Sequence, residues 1–247
     1  MTSPPPFLPG VSEAYVRERL NQAGGDELGS GKFSHPESSA ALAANALGWF
    51  VGHPTLLPPL PDTEAAGAAE RIELEYCARF PWTGGTHPWL DAAIITATHL
   101  IGVESKRFEP FRDAKKSTFS SAYDRPVWGD RMGRYGIVRV ALQSRALRYV
   151  HLDGAQLIKH AYGLVTEGRR LRRQPVLFYL YAEPRMRGDC PISEEDHQRH
   201  RREIADFGAR VAGDEVAFAA SSYRAWLSRA GGDARAHAMA LIARFNP

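Results

Sequence analysis

Two short apolar segments, residues 89–97 and 100–108, follow one another with charged residues set inside them, and this pair constrains the fold of the 247-residue chain more than any other stretch. Both are rich in Ile, Val, Thr and aromatic residues and lack proline, so both read as strands. The first carries Asp91 near its start, and the second carries Glu104 and Lys106, two apart. Strand side chains alternate, so Glu104 and Lys106 share one side while Val103 and Ser105 take the other. In an antiparallel hairpin Asp91 reaches that side too, although Thr98-His99 is no tight turn and leaves the register open. An unpaired charge inside a sheet is costly. Either Glu104 and Lys106 neutralise each other or face solvent, or two carboxylates and an ammonium converge on one spot. The second arrangement can hold a divalent cation and polarise a water toward a phosphate.

The remaining sequence frames that hairpin. Residues 12–22 offer a short helix within a Pro-, Gly- and Ser-rich lead-in, and residues 1–36 read as a loosely attached arm. A Ser-capped helix is expected over 37–50. Residues 71–80 read as a strand with Ile72, Leu74, Tyr76 and Ala78 on one face and Glu73 and Glu75 on the other. A long aromatic-bearing loop spans 109–136, followed by helices over 138–149 and 153–166. Residues 175–182, PVLFYLYA, form a continuous apolar run typical of a strand buried on both faces. A helix near 194–211, a strand over 216–223 and short C-terminal helices complete a single α/β domain over 37–247, with a mixed central sheet.

Composition narrows the function less than position does. The net charge of +3 is a weak argument for a polyanionic partner. Basic residues nevertheless bunch at 106–107, 112–116, 169–173 and 199–202. Cys77 and Cys190 stand far apart in unrelated contexts, so a reducing cytoplasm is the expected setting. The opening residues have no basic, apolar leader pattern, and no long apolar run suggests a membrane span.

The order of elements, with an acid on the second strand and Glu104-Ser105-Lys106 on the third, resembles the PD-(D/E)XK nuclease superfamily, the restriction-endonuclease-like fold. A twelve-residue spacer separates Asp91 from Glu104, and Leu90 stands where the family has Pro. The helix SSAALAANALGWF, the Gln156-x-x-x-His160-x-x-Gly163 pattern and the late SSYRAWL segment resemble bacterial restriction endonucleases in particular. The resemblance covers roughly residues 35–230.

It implies a restriction-endonuclease-like sandwich and a magnesium-dependent (or manganese-dependent) deoxyribonuclease. Asp91, Glu104 and the Ser105 carbonyl would hold the metal, and Lys106 would orient the attacking water. Glu75, Glu73 or, less directly, Glu37 would add an upstream acid. Gln156 would line the site, with Lys159 and His160 touching phosphate; Arg107, Lys115 and Lys116 lie in the flanking basic clusters and would also face the nucleic acid. Many such enzymes act as homodimers, but the sequence marks no dimer surface and implies no obligate protein partner.

Two other readings stay open. His197-x-x-His200 with Cys190 and Asp196 supplies zinc-ligand types, within a run of arginines that also suits a solvated helix. A nucleic-acid-binding protein could keep the fold without cutting, using the basic clusters and Phe119, Tyr123 and Trp128 to hold phosphates and stack bases.

Overall fold

Side-chain caps set where most of the longer helices begin in the computed structural model, which describes residues 6–23, 26–112, 115 and 117–247. Ser12, Ser38, Asp153, Ser193 and Ser222 each accept a hydrogen bond from a backbone N–H in the first turn that follows, satisfying a donor that the helix itself leaves open. The helices are α1 (Glu13–Gln22), α2 (Ser39–Val51), α3 (Glu109–Arg112), α4 (Gly133–Gln143), α5 (Gly154–Leu171), α6 (Glu194–Val211), α7 (Tyr223–Leu227) and α8 (Gly232–Phe245). The strands are β1 (Ala69–Cys77), β2 (Trp89–Thr96), β3 (His99–Lys106), β4 (Gln174–Tyr181), β5 (Met186–Arg187), β6 (Cys190–Pro191) and β7 (Ala217–Ser222).

The central sheet has the order β1-β2-β3-β4-β7. β1, β2 and β3 pair antiparallel, and β4 and β7 continue parallel to β3. The expected hairpin therefore forms, and the fold is the α/β sandwich with a mixed sheet. Parallel pairing aligns the C-terminal ends of three strands at Lys106, Tyr181 and Ser222. Their N-terminal ends gather at the opposite edge.

Leu42, Leu47 and Phe50 of α2 pack with Ile72, Ile94, Ile101 and Phe178 on one face of the sheet. Leu157, Ile158 and Leu164 of α5 pack with Leu90, Leu100 and Leu177 on the other. Each such side chain contributes about 1.5–3 kcal/mol by leaving water. Two glycines let α5 lie close. A Cβ on Gly163 would stand 2.4 Å from the Ala78 carbonyl oxygen, and one on Gly102 would stand 2.8 Å from Leu164 of α5.

Three expectations need correction. The described residues between 6 and 36 are not loosely packed: Phe7, Leu8, Val11, Val16, Leu20 and Phe33 are buried with α2 and the sheet. Asn45 Oδ1 accepts from the Leu8 N–H at 2.6 Å, which ties this segment to α2. Its apolar residues are few and set among Pro, Gly and charged residues, which hid the packing from a reading of composition. The helix placed over 138–149 starts earlier and ends at Gln143, with Arg145 in the left-handed region (φ 63°) beyond it. Finally, the face pattern of β1 breaks in the middle. Ile72 and Leu74 pack on the α2 side, whereas Tyr76 and Ala78 pack on the α5 side. Glu75 between them has φ 47°, a left-handed residue that reverses the alternation.

Candidate active site

Register pairing between β2 and β3 stops at Ala92↔Val103. Beyond it the strands part, and Asp91 uses the gap: its Oδ2 accepts from the Ser105 N–H at 2.7 Å. Across the gap Glu104 is buried to 2% exposure. Its Oε1 lies 2.6 Å from Lys106 Nζ and its Oε2 lies 3.2 Å from His160 Nε2. The pairing of Glu104 with Lys106 allowed by the sequence is therefore present, and Asp91 joins the same charged group. On the opposite side of β3, Ser105 Oγ and Tyr223 OH share a hydrogen bond of 2.6 Å.

Glu75 approaches from β1. It shares a small recess with Asp91, walled by Val16, Leu20, Ala43, Ala44 and Leu74. Arg19 of α1 holds the strained turn of backbone there, donating from Nε to the Leu74 carbonyl at 2.7 Å and from one terminal nitrogen to the Glu75 carbonyl at 2.8 Å. The N-terminal helix thus fixes a candidate site residue.

The electrostatics follow from burying several acids around one ammonium. Burial, then the neighbouring Glu104, pushes the Asp91 carboxyl up to about 8, against the pull of Lys106 and the Ser105 N–H. Burial, then Asp91 and Glu104, likewise pushes Glu75 up to about 8. Burial also raises Glu104, opposed by Lys106. Burial works against the Lys106 ammonium, but Glu104 and Asp91 outweigh it and hold the proton more firmly than in water. His160 is pushed down to about 3 by burial and by Lys106, so its imidazole is neutral. One ammonium cannot balance Glu75, Asp91 and Glu104 if all three ionise, so the raised carboxyls hold protons that a bound cation would displace.

Residues 6–228 match a family described as restriction endonuclease associating with ARP. The chain belongs to this family. No curated protein and no solved structure matches it.

Within this family setting, the structure separates the remaining candidates. Glu73 is split from Glu75 by the β1 reversal and pairs with Arg71 at 3.0 Å. Glu37 lies 3.2 Å from Arg187 and 3.8 Å from Arg112. Gln156 and Lys159 are half-buried on α5, with Lys159 Nζ 5.5 Å from the centre of the Phe119 ring. His160 does not present itself to solvent for phosphate contact; it is buried against Glu104. Arg107 is buried as well, donating to the Pro36 carbonyl and, at 2.7 Å, to the Phe245 carbonyl. Its guanidinium ties the segment before α2 to the end of α8 rather than facing a ligand. Lys115 donates to the Glu109 carbonyl, and Lys116 lies outside the described residues.

Sequence reading missed Glu109 because residue 109 opened what looked like a plain loop. Its Oε2 accepts from the Arg107 N–H at 3.0 Å and its other oxygen takes the Ser39 hydroxyl. Burial would raise this acid, but Lys106 and Ser39 together hold it below its ordinary value. It is a further acid beside Lys106, and the two favour each other's charged forms.

The proposed zinc set does not assemble. His197 and His200 turn inward onto Phe111, at ring-centre distances of 4.7 and 5.5 Å, while Cys190 is exposed on the small hairpin. Among the described residues, no group of three or more His, Cys, Asp or Glu side chains is arranged to hold a metal ion. Among those residues, no helix is long and apolar enough to cross a membrane.

Proposed function

We propose that this chain is a metal-dependent nuclease that hydrolyses phosphodiester bonds of DNA, with Asp91, Glu104 and Lys106 as its working residues. The convergence of buried acids on one ammonium, at the C-terminal edge of the parallel strands, carries this reading. Family membership supports it. The cation that suits these residues is hard and content with few protein ligands, because the donors are two carboxylates, Asp91 and Glu104, and the Ser105 carbonyl. Magnesium, or manganese, takes one or two carboxylates and fills its shell with water and phosphate oxygens. Bound there it would supply Lewis-acid polarisation of a phosphate oxygen.

The chain's own groups define the rest. Lys106 retains its proton, so it serves as a fixed positive charge and hydrogen-bond donor, not as a general base. It is aimed to orient a water and to stabilise charge as it gathers on the phosphate. His160, neutral and buried, holds the second oxygen of Glu104 and so orients that carboxylate. Glu109 keeps Lys106 charged when Glu104 turns to another partner. Dry surroundings make each of these contacts stronger than the same contact in water.

A protein that binds nucleic acid without cutting is favoured by one observation, the closed Glu104–Lys106 pair. Supercoiled plasmid incubated with magnesium or manganese tests the two readings, beside EDTA controls and the Asp91→Ala and Lys106→Ala variants. The expected result is metal-dependent cutting that falls by at least ~100-fold in either variant, the scale of one lost transition-state charge contact, with unchanged circular dichroism. Equal treatment of plasmid by wild type and Lys106→Ala would sink the nuclease reading.

A further inference from the structure

The opposite edge of the sheet, where β3, β4 and β7 begin, opens into a cavity of about 600 Å³. Arg169, Arg172 and Arg173 reach it from the end of α5, and Arg131 reaches it from the loop before α4. Among the described residues on its lining, Glu215 is the one acid. Arg169 is already committed to it, with Nε and a terminal nitrogen 2.8 and 2.6 Å from its two oxygens. Arg131 also acts on Glu215 and helps hold its carboxyl down, so the lining sets four guanidiniums against one carboxylate.

Cations at a helix C-terminus complement the helix dipole, which accounts for the sign of the α5 residues. It does not account for Arg131, which arrives from a different element, nor for the backbone of Arg172. Arg172 caps α5 in the left-handed region (φ 54°, ψ 45°), a position where glycine is the low-energy residue. A long cationic side chain is kept there against backbone preference. The rim is also fixed in advance. The Glu215 N–H donates to the Arg131 carbonyl at 2.7 Å and the Arg173 N–H donates to the Gly168 carbonyl at 2.8 Å. Arg169 lies so close to Gly129 that a Cβ there would stand 2.3 Å from its guanidinium. A cavity of this size matches a small ligand, and rigid guanidinium forks match phosphate oxygens.

We infer that this cavity is a second site, separate from the candidate active site, which binds a phosphate-bearing ligand through Arg131, Arg172 and Arg173. The shared chemistry is the phosphate group, carried either by a nucleotide or by a nucleic-acid backbone.

Isothermal titration of the full chain with inorganic phosphate, ATP and a short DNA duplex tests this, using wild type, Arg172→Gly, Arg173→Gln and Lys106→Ala. Saturable binding of phosphate or ATP is expected, weakened roughly tenfold in either arginine variant, as for one lost charge-assisted hydrogen bond, and unchanged in Lys106→Ala. Binding of the duplex alone, with the same dependence on the two arginines, would identify a nucleic-acid backbone as the source. Arg172→Gly relieves the left-handed strain, so its melting temperature should rise while its binding falls. A folding defect cannot produce that combination. Absence of saturable binding by all three probes, or binding indifferent to Arg172 and Arg173, would overturn the inference. Plasmid cutting does not enter the readout, so this result stands or falls apart from the nuclease reading.

Discussion

The two edges of the central sheet are electrostatic opposites built from the same strands. At the edge where β3 ends, Glu75, Asp91 and Glu104 are drawn out of water around Lys106. At the edge where β3 begins, Arg131, Arg172 and Arg173 stand around an open cavity. Burial separates the two more than sign does. The acidic edge stores free energy, because its carboxyls are held away from their ordinary protonation and a partner cation would relieve them. The basic edge is half wet, so holding its charges together costs the fold little. On the two readings proposed above, the first region does chemistry and the second captures a ligand reversibly.

The sharpest way to break this contrast is to remove the ammonium. Lys106→Met leaves Glu104 buried without its 2.6 Å partner, and losing one member of a buried pair costs about 3–5 kcal/mol. The loss should be full at pH 8, where the acids would otherwise ionise, and smaller at pH 5, where they take up protons. Urea unfolding in EDTA at both pH values measures it. Equal losses at the two would mean that the acids around Lys106 are ordinary.

A second effect belongs to the wild-type chain. Asp91 and Glu75 have carboxyls raised to about 8 in the fold, above their unfolded values near 4. The native state therefore binds more protons than the unfolded state between these limits. Each group's contribution to stability is greatest below its unfolded value and is lost as pH rises to about 8, at about 1.4 kcal/mol per pH unit for each proton. In EDTA the melting temperature should fall from pH 5 to pH 8, and magnesium should restore more of it at pH 8 than at pH 5. A flat profile would remove the stored free energy from the acidic edge.

Much of the acidic edge was legible because strand alternation is a strong rule. Glu104 and Lys106 were expected on one side and are in contact, and Asp91 was expected to reach them across a hairpin. The PVLFYLYA run and the 194–211 helix formed as their patterns required. The failures trace to features without a local signal. Nothing in RIELEYCARF marks Glu75 as left-handed, since glutamate is not a residue that favours that conformation. Its reversal depends on the Arg19 fork, more than fifty residues upstream. It decided that Glu75 rather than Glu73 enters the site. Arg107 looked like part of a basic cluster, and only the folded chain brings the Pro36 and Phe245 carbonyls to it. The cavity of the basic edge was equally hidden, because Arg131 and the 169–173 cluster meet only after the β3-to-β4 crossover is complete.

The smallest expected effect tests that basic edge at its one acid. Glu215→Gln removes the charge partner of Arg169, whose side chain is 42% exposed, and exposed pairs of this kind contribute about 1 kcal/mol or less. The Glu215 N–H that ties the Arg131 carbonyl is backbone and survives the substitution, so the rim keeps its shape. Stability in urea should therefore change by less than ~1 kcal/mol. Affinity for inorganic phosphate or ATP should rise, because Arg169 regains a free charge facing the cavity. The two responses together are diagnostic. A large stability loss would make Glu215 a structural keystone whose acid the fold requires. Weaker phosphate binding at unchanged stability would mean that Glu215 aims Arg169 at the ligand, so that the pair forms part of the recognising surface and is not a brake on it.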